Sequence, residues 1–160
     1  MSTKFSRRDF MKYTAVAALA VASSSLFTGC SDPNKPTMSG VGGITLLNVS
    51  TQLKEYNINE PSFKFVITNG RTNEIDVLPT NFVVDVYKTV DGKEVLQREY
   101  DAYNGVELSN RKQGLTNNTA FETTLTVKNF VQLGDGEFFK VKYWPDRTYT
   151  EMWGTWTDLK

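Results

Sequence analysis

Phe82-Val83-Val84-Asp85-Val86-Tyr87-Lys88-Thr89-Val90-Asp91-Gly92-Lys93-Glu94-Val95 decides the fold. Phe82, Val84 and Val86 alternate with Val83, Asp85 and Tyr87, the period of two that puts one set of side chains on a buried face. Asp91-Gly92 then interrupts the run, and a second strand-like run follows over Glu94–Tyr100. An Asp-Gly pair between two such runs is the strongest short-range hairpin signal, because both residues tolerate the positive φ that a tight primed turn requires.

The same period recurs on both sides of this hairpin. Phe63, Phe65 and Ile67 alternate with Lys64, Val66 and Thr68. Phe121, Thr123, Leu125 and Val127 alternate with Glu122, Thr124, Thr126 and Lys128, and Phe139, Val141 and Tyr143 with Phe138, Lys140 and Lys142. Weaker strands are expected over 44–49, 75–78 and 149–157. Asn69-Gly70, Asn104-Gly105, Asn117-Asn118 and Gly134-Asp135-Gly136 supply turns between them. Nothing after residue 30 sustains a helical period. The expectation is an all-β, antiparallel, immunoglobulin-like sandwich of about seven or eight strands over residues 44–160.

Upstream the composition changes. Ser31 to Gly43 (SDPNKPTMSGVGG) holds two Pro, three Gly and two Ser, with little to bury, and reads as a flexible tether spanning roughly 20 Å. Before it lies Ser6-Arg7-Arg8-Asp9-Phe10-Met11-Lys12, then the apolar run Ala15 to Ala22. This resembles a twin-arginine export signal, Ser-Arg-Arg-x-Phe-Leu/Met-Lys, in all six of its fixed positions; Arg7, Arg8, Phe10 and Lys12 carry the match. The apolar run is about eight residues, far short of the roughly 20 that a spanning helix needs, so it is a signal core and not a membrane anchor.

Phe27-Thr28-Gly29-Cys30 is similar to a bacterial lipobox, with Phe27 where Leu is commoner. That resemblance implies acylation of the Cys30 sulfur and cleavage before it, dividing the chain into a signal peptide (1–29), a lipidated Cys with its tether (30–43) and the sandwich. It also implies a protein held in the cell membrane on its extracytoplasmic side, or in the outer membrane of a source that has one. Burying acyl CH₂ groups is worth about 0.8 kcal/mol each, so two or three chains would hold it essentially permanently.

The whole chain carries 18 basic and 18 acidic residues. Removing residues 1–29 takes away four basic residues and one acidic one, which leaves a 131-residue chain with a net charge near −3. Neither balance nor clustering suggests a nucleic-acid partner. The absence of His excludes imidazole as a base or metal ligand, and one Cys excludes an internal disulfide or a thiolate metal cluster. No cofactor and no metal is expected. Asp85, Asp135, Glu137, Asp146 and Glu151 lie in no recognisable acid–base motif and read as solvated strand faces and turns; Gly134-Asp135-Gly136-Glu137 lacks the further ligands of a calcium loop.

The span from Phe63 to Asn69, through Ile75–Val77, to the Asp91-Gly92-Lys93 hairpin is similar to small bacterial sandwich domains. These are the bacterial intracellular proteinase inhibitor family and the immunoglobulin-like domains of bacterial lipoproteins. Leu96 stands where that inhibitor family has Trp. The resemblance carries the fold and no inhibitory residue.

All three Trp residues, Trp144, Trp153 and Trp156, fall in the last seventeen positions. Strand alternation puts Tyr149 and Trp153 on one face and Trp156 on the other, where it completes the core. Trp144, Tyr149 and Trp153 form the candidate ligand face, since Trp and Tyr anchor protein partners and stack on sugars. The reading is a non-catalytic, lipid-anchored domain binding a protein or envelope partner outside the cytoplasm. The alternatives are a carbohydrate- or peptidoglycan-binding module and a protease-inhibitor-like domain.

Overall fold

The computed structural model describes residues 37–46, 48–145 and 154–160, with only the backbone of Leu46. It is all-β apart from one short 3-10 turn, Pro79–Asn81. Among the described residues, twelve strands run β1 (Thr37–Ser39), β2 (Gly42–Leu46), β3 (Val49–Asn57), β4 (Ser62–Asn69), β5 (Ile75–Val77), β6 (Phe82–Val90), β7 (Lys93–Tyr100), β8 (Val106–Leu108), β9 (Lys112–Leu115), β10 (Thr119–Val127), β11 (Glu137–Tyr143) and β12 (Gly154–Leu159).

They form two five-stranded sheets, β1-β12-β11-β6-β7 and β2-β3-β4-β10-β8, and a two-stranded ribbon, β5-β9. The segments β3-β4-β10-β8 and β12-β11-β6-β7 reproduce the A-B-E-D and G-F-C-C′ order of an immunoglobulin-like sandwich. Every pair is antiparallel except β1 with β12, which is parallel.

The alternation at Phe82-Val83-Val84 works as the sequence indicates. Phe82, Val84 and Val86 are fully buried, and across β11 they face Tyr143, Val141 and Phe139. Phe63, Phe65 and Ile67 of the opposite sheet complete the core. Phe63 meets Phe139 edge-on at 5.5 Å, and Phe65 touches Phe82 at 5.5 Å and Trp156 at 4.9 Å. Each such ring contributes roughly 1.5–3 kcal/mol by leaving water, and the edge-to-face contacts about 0.5–1.5 kcal/mol more. Trp156 is wholly buried, as expected, and its indole N–H donates to Gly42 O at 3.2 Å. At the hairpin, Asp91 (φ 51°) and Gly92 (φ 73°) both take the positive φ of a primed turn.

The structure corrects the sequence reading in three places. The expected strand over 44–49 is two strands, β2 and β3, reversing at Asn48 (φ 65°). Most of β3 escapes the period test because its register shifts between Leu53 and Glu55, so Leu53 and Tyr56 do not share one alternation. The short β8 and β9 are too brief to show a period.

The third correction concerns the tether. Thr37–Ser39 forms β1 and Gly42 opens β2, so Thr37–Gly43 is not spacer. Met38 packs on the core from β1, and a Cβ on Gly42 would fall 2.0 Å from its sulfur. Glycine there makes room for Met38 and leaves the carbonyl that receives Trp156. Residues 30–36, with Cys30, lie outside the described residues, as do Arg7, Arg8, Phe10 and Lys12.

Candidate recognition surfaces

One end of the sandwich gathers the connections β4–β5–β6 and β9–β10, the exit of β11 and the start of β12. Its geometry is set by two buried asparagines. Asn69, closing β4, donates from Nδ2 to Asn73 O at 2.9 Å and Leu115 O at 2.8 Å, and its Oδ1 accepts the Arg71 N–H at 2.9 Å. This ties the β5–β9 ribbon to the main sheet, with Gly114 N–H donating to Asp76 Oδ1 at 3.0 Å. Asn81 accepts the Leu78 N–H at 2.9 Å and donates to Trp144 O at 2.8 Å, while the Trp144 N–H donates to Asn81 O at 2.9 Å.

Trp144, from the sequence-derived ligand face, is therefore clamped by its backbone at the exit of β11, and its side chain is half-buried. Tyr149 and Trp153 lie outside the described residues. Beneath Trp144, the Tyr143 hydroxyl is buried without a hydrogen-bond partner, and burial holds its pKa well above the ordinary tyrosine value.

The carboxylates expected on solvated faces are not all solvated. Asp85 is fully buried on the outward face of β6, and its compensating charge is Lys142 Nζ on β11. Lys140, directly opposite Asp85, pairs with Glu94 and lies 4.8 Å over the Tyr87 ring, which stacks on Phe138. Glu137 is gripped by Arg98 and accepts the Gly134 N–H at 2.7 Å; the Arg98 guanidinium first, and that amide second, hold its carboxyl below the usual range. Lys128 and Glu107 pair at 2.7 Å. These ion pairs are cross-strand girders, each carboxylate set against a cation. Among the described residues, no three His, Cys, Asp or Glu side chains are placed to share a metal ion.

The most exposed large hydrophobic side chain among the described residues was not singled out by sequence. Tyr103 is 92% exposed, on the connection from β7 to β8. That connection is rigidly held. Asp101 Oδ1 accepts the Tyr103 N–H at 2.8 Å and the Asn104 N–H at 3.1 Å, Asn104 Nδ2 donates to Glu99 O at 3.0 Å, and the Val106 N–H donates to Asp101 O at 2.8 Å. Gly105 (φ 141°) lies so close to Lys128 O that a Cβ would stand 2.7 Å from it, and its own carbonyl accepts the Lys128 N–H at 2.9 Å. The Tyr100 hydroxyl accepts the Val131 N–H at 3.4 Å, and Val131 is itself 58% exposed. An Asx-turn loop with a fixed backbone thus presents the Tyr103 ring to water. The sequence signal was present in Asp101-Ala102-Tyr103-Asn104-Gly105, an Asp and an Asn-Gly bracketing a Tyr, but turn chemistry alone does not say that the ring stays outside.

Residues 4–24 match the family described as TAT (twin-arginine translocation) pathway signal sequence. No curated protein and no solved structure matches the chain. The chain therefore carries a signal for export, and its β-sandwich works outside the cytoplasm.

Proposed function

We propose that this protein is a lipoprotein acylated on Cys30, whose immunoglobulin-like domain binds a protein partner in the cell envelope without catalysing a reaction on it. Cys30, the single cysteine, lies six residues beyond the end of the matched export signal, directly after Phe27-Thr28-Gly29. The observation that carries the binding role is Tyr103, a ring held at 92% exposure by a loop whose backbone is tied down on both sides. A loop whose backbone is ordered before contact loses little backbone entropy on binding, and Tyr is among the residues that dominate interface energies.

The test is a photo-crosslinking residue placed at Tyr103 in the exported, full-length protein in living cells. A discrete protein adduct is expected, absent when the same residue replaces exposed Thr89. Adduct formation no stronger at 103 than at 89 overturns the reading. The glycan-binding alternative, resting on Trp144, Tyr149 and Trp153, would show instead as a change in tryptophan fluorescence on adding peptidoglycan fragments.

A further inference from the structure

The parallel pairing of β1 with β12 determines which end of the sandwich the anchor reaches. Thr37 lies beside Thr155, and β12 runs antiparallel to β11 with Gly154 opposite Tyr143. The chain preceding Thr37 therefore leaves the sheet at the end where β11 finishes, the end of Trp144, Asn81 and the Gly70–Glu74 connection. Only residues 31–36 separate Cys30 from Thr37. Seven Cα steps at no more than about 3.6 Å keep Cys30 within about 25 Å of Thr37. The sandwich is longer than that: β3, β6 and β10 each have nine residues, eight steps of ~3.3 Å or about 26 Å from first Cα to last, and the turns at both ends add to it. To bring the Asp91-Gly92 tip to the lipid, those few residues would have to run back along the whole sheet and still reach the bilayer. They are too short.

We propose that the acylated protein stands on its Trp144 end, with that end against the lipid headgroups and the Asp91-Gly92 hairpin pointing away. This rests on the proposed acylation of Cys30. The surface placed at the membrane is suited to it. Trp144 is half-buried at the exit of β11, and an indole with an apolar body and a polar N–H favours the headgroup zone. Thr72, Asn73 and Glu74 at the same end are exposed and polar, able to sit among hydrated headgroups without penetrating the bilayer. The mature domain's slight negative charge gives no electrostatic reason to lie flat on an anionic surface, so spacer length sets the orientation.

The experiment uses the full-length protein, exported and processed in a bacterial host and reconstituted into phosphatidylethanolamine–phosphatidylglycerol vesicles. Acylation consumes the single native thiol, so Thr72→Cys and Thr89→Cys each offer one labelling site for a fluorophore, at opposite ends of the sandwich. With nitroxide-headgroup lipid as quencher, the label at 72 is expected to be quenched severalfold more strongly than the label at 89. Inserting about twelve Gly/Ser residues between Pro36 and Thr37, which more than doubles the reach, is expected to narrow that difference. Equal quenching, or stronger quenching at 89, in protein whose N-terminal peptide has the mass of acylated Cys overturns the orientation and leaves the lipoprotein reading intact. An N-terminal peptide with unmodified Cys30 overturns both.

Discussion

Tyr143 and Asn69 are two buried polar residues near the Trp144 end with opposite energetics. Asn69 is wholly buried and spends its amide on two carbonyls and one N–H. Asn69→Ala strands those groups away from water, at a cost of about 2–4 kcal/mol read from urea denaturation. The Tyr143 hydroxyl is equally buried and has no partner. Tyr143→Phe removes an unpaid desolvation while keeping the ring against Phe82, so it should leave stability unchanged or raise it by up to about 1 kcal/mol. A loss above 1 kcal/mol would show that the hydroxyl has a partner after all. Turn chemistry marked Asn69 correctly as a strand end, since Asn-Gly is legible locally. That its side chain faces inward and joins a distant ribbon is a matter of which strands meet.

At the scale of elements, the outward face of β6, β7 and β11 is held by ion pairs, two of whose carboxylates, Asp85 and Glu137, the sequence reading assigned to solvent. Lys140 and Lys142 on β11 alternate with apolar residues, which makes the strand legible, but the partners Glu94 and Asp85 come from other strands and cannot be found without the register. The Arg98–Glu137 pair latches edge strand β7 to the start of β11, with the Glu137 side chain only 10% exposed. Its carboxyl is held below its ordinary value near 4.5, so the stabilisation is present above that value and is lost as pH falls through the depressed one. Glu137→Gln should destabilise the domain by about 1 kcal/mol at neutral pH, with a deficit that shrinks steadily below pH ~4.5. A deficit independent of pH would mean that packing, and not charge, makes the contact. The same latch limits how far the exposed edge β7 can open, and the register shift between Val86 and Tyr87 twists that edge against pairing with other chains.

For the whole molecule, the export signal and the anchor make separable predictions. Arg7→Lys with Arg8→Lys should leave unprocessed precursor in the cytoplasm; normal processing would point to the general secretory route. Cys30→Ala in the exported protein should move it from the membrane to the soluble extracytoplasmic fraction, and full retention with membranes would defeat the proposed acylation. The export signal is legible because cellular machinery reads it as a linear peptide, through side-chain identity and spacing, with no fold required, and the proposed acylation site would be read in the same way.

The β class, the two-sheet core and the Asp91-Gly92 hairpin were likewise determined by sequence, because alternation and turn residues act within a few positions of one another. Phe82 knows its own face from its neighbours. What only the tertiary structure decided depends on residues far apart in the chain. Thr37–Ser39 has the composition of a spacer and becomes a strand because the edge of β12 offers it hydrogen bonds and the core offers Met38 a place. Tyr103 has the composition of a core residue and remains in water because Asp101 and Asn104 lock its loop outside both sheets. For Thr37–Ser39 the free energy comes from contacts with the far end of the chain, which no window of sequence contains; the hydrogen bonds of the Tyr103 loop are local, and what the window does not contain is the seat of Gly105 against Lys128 that puts the loop outside the sheets.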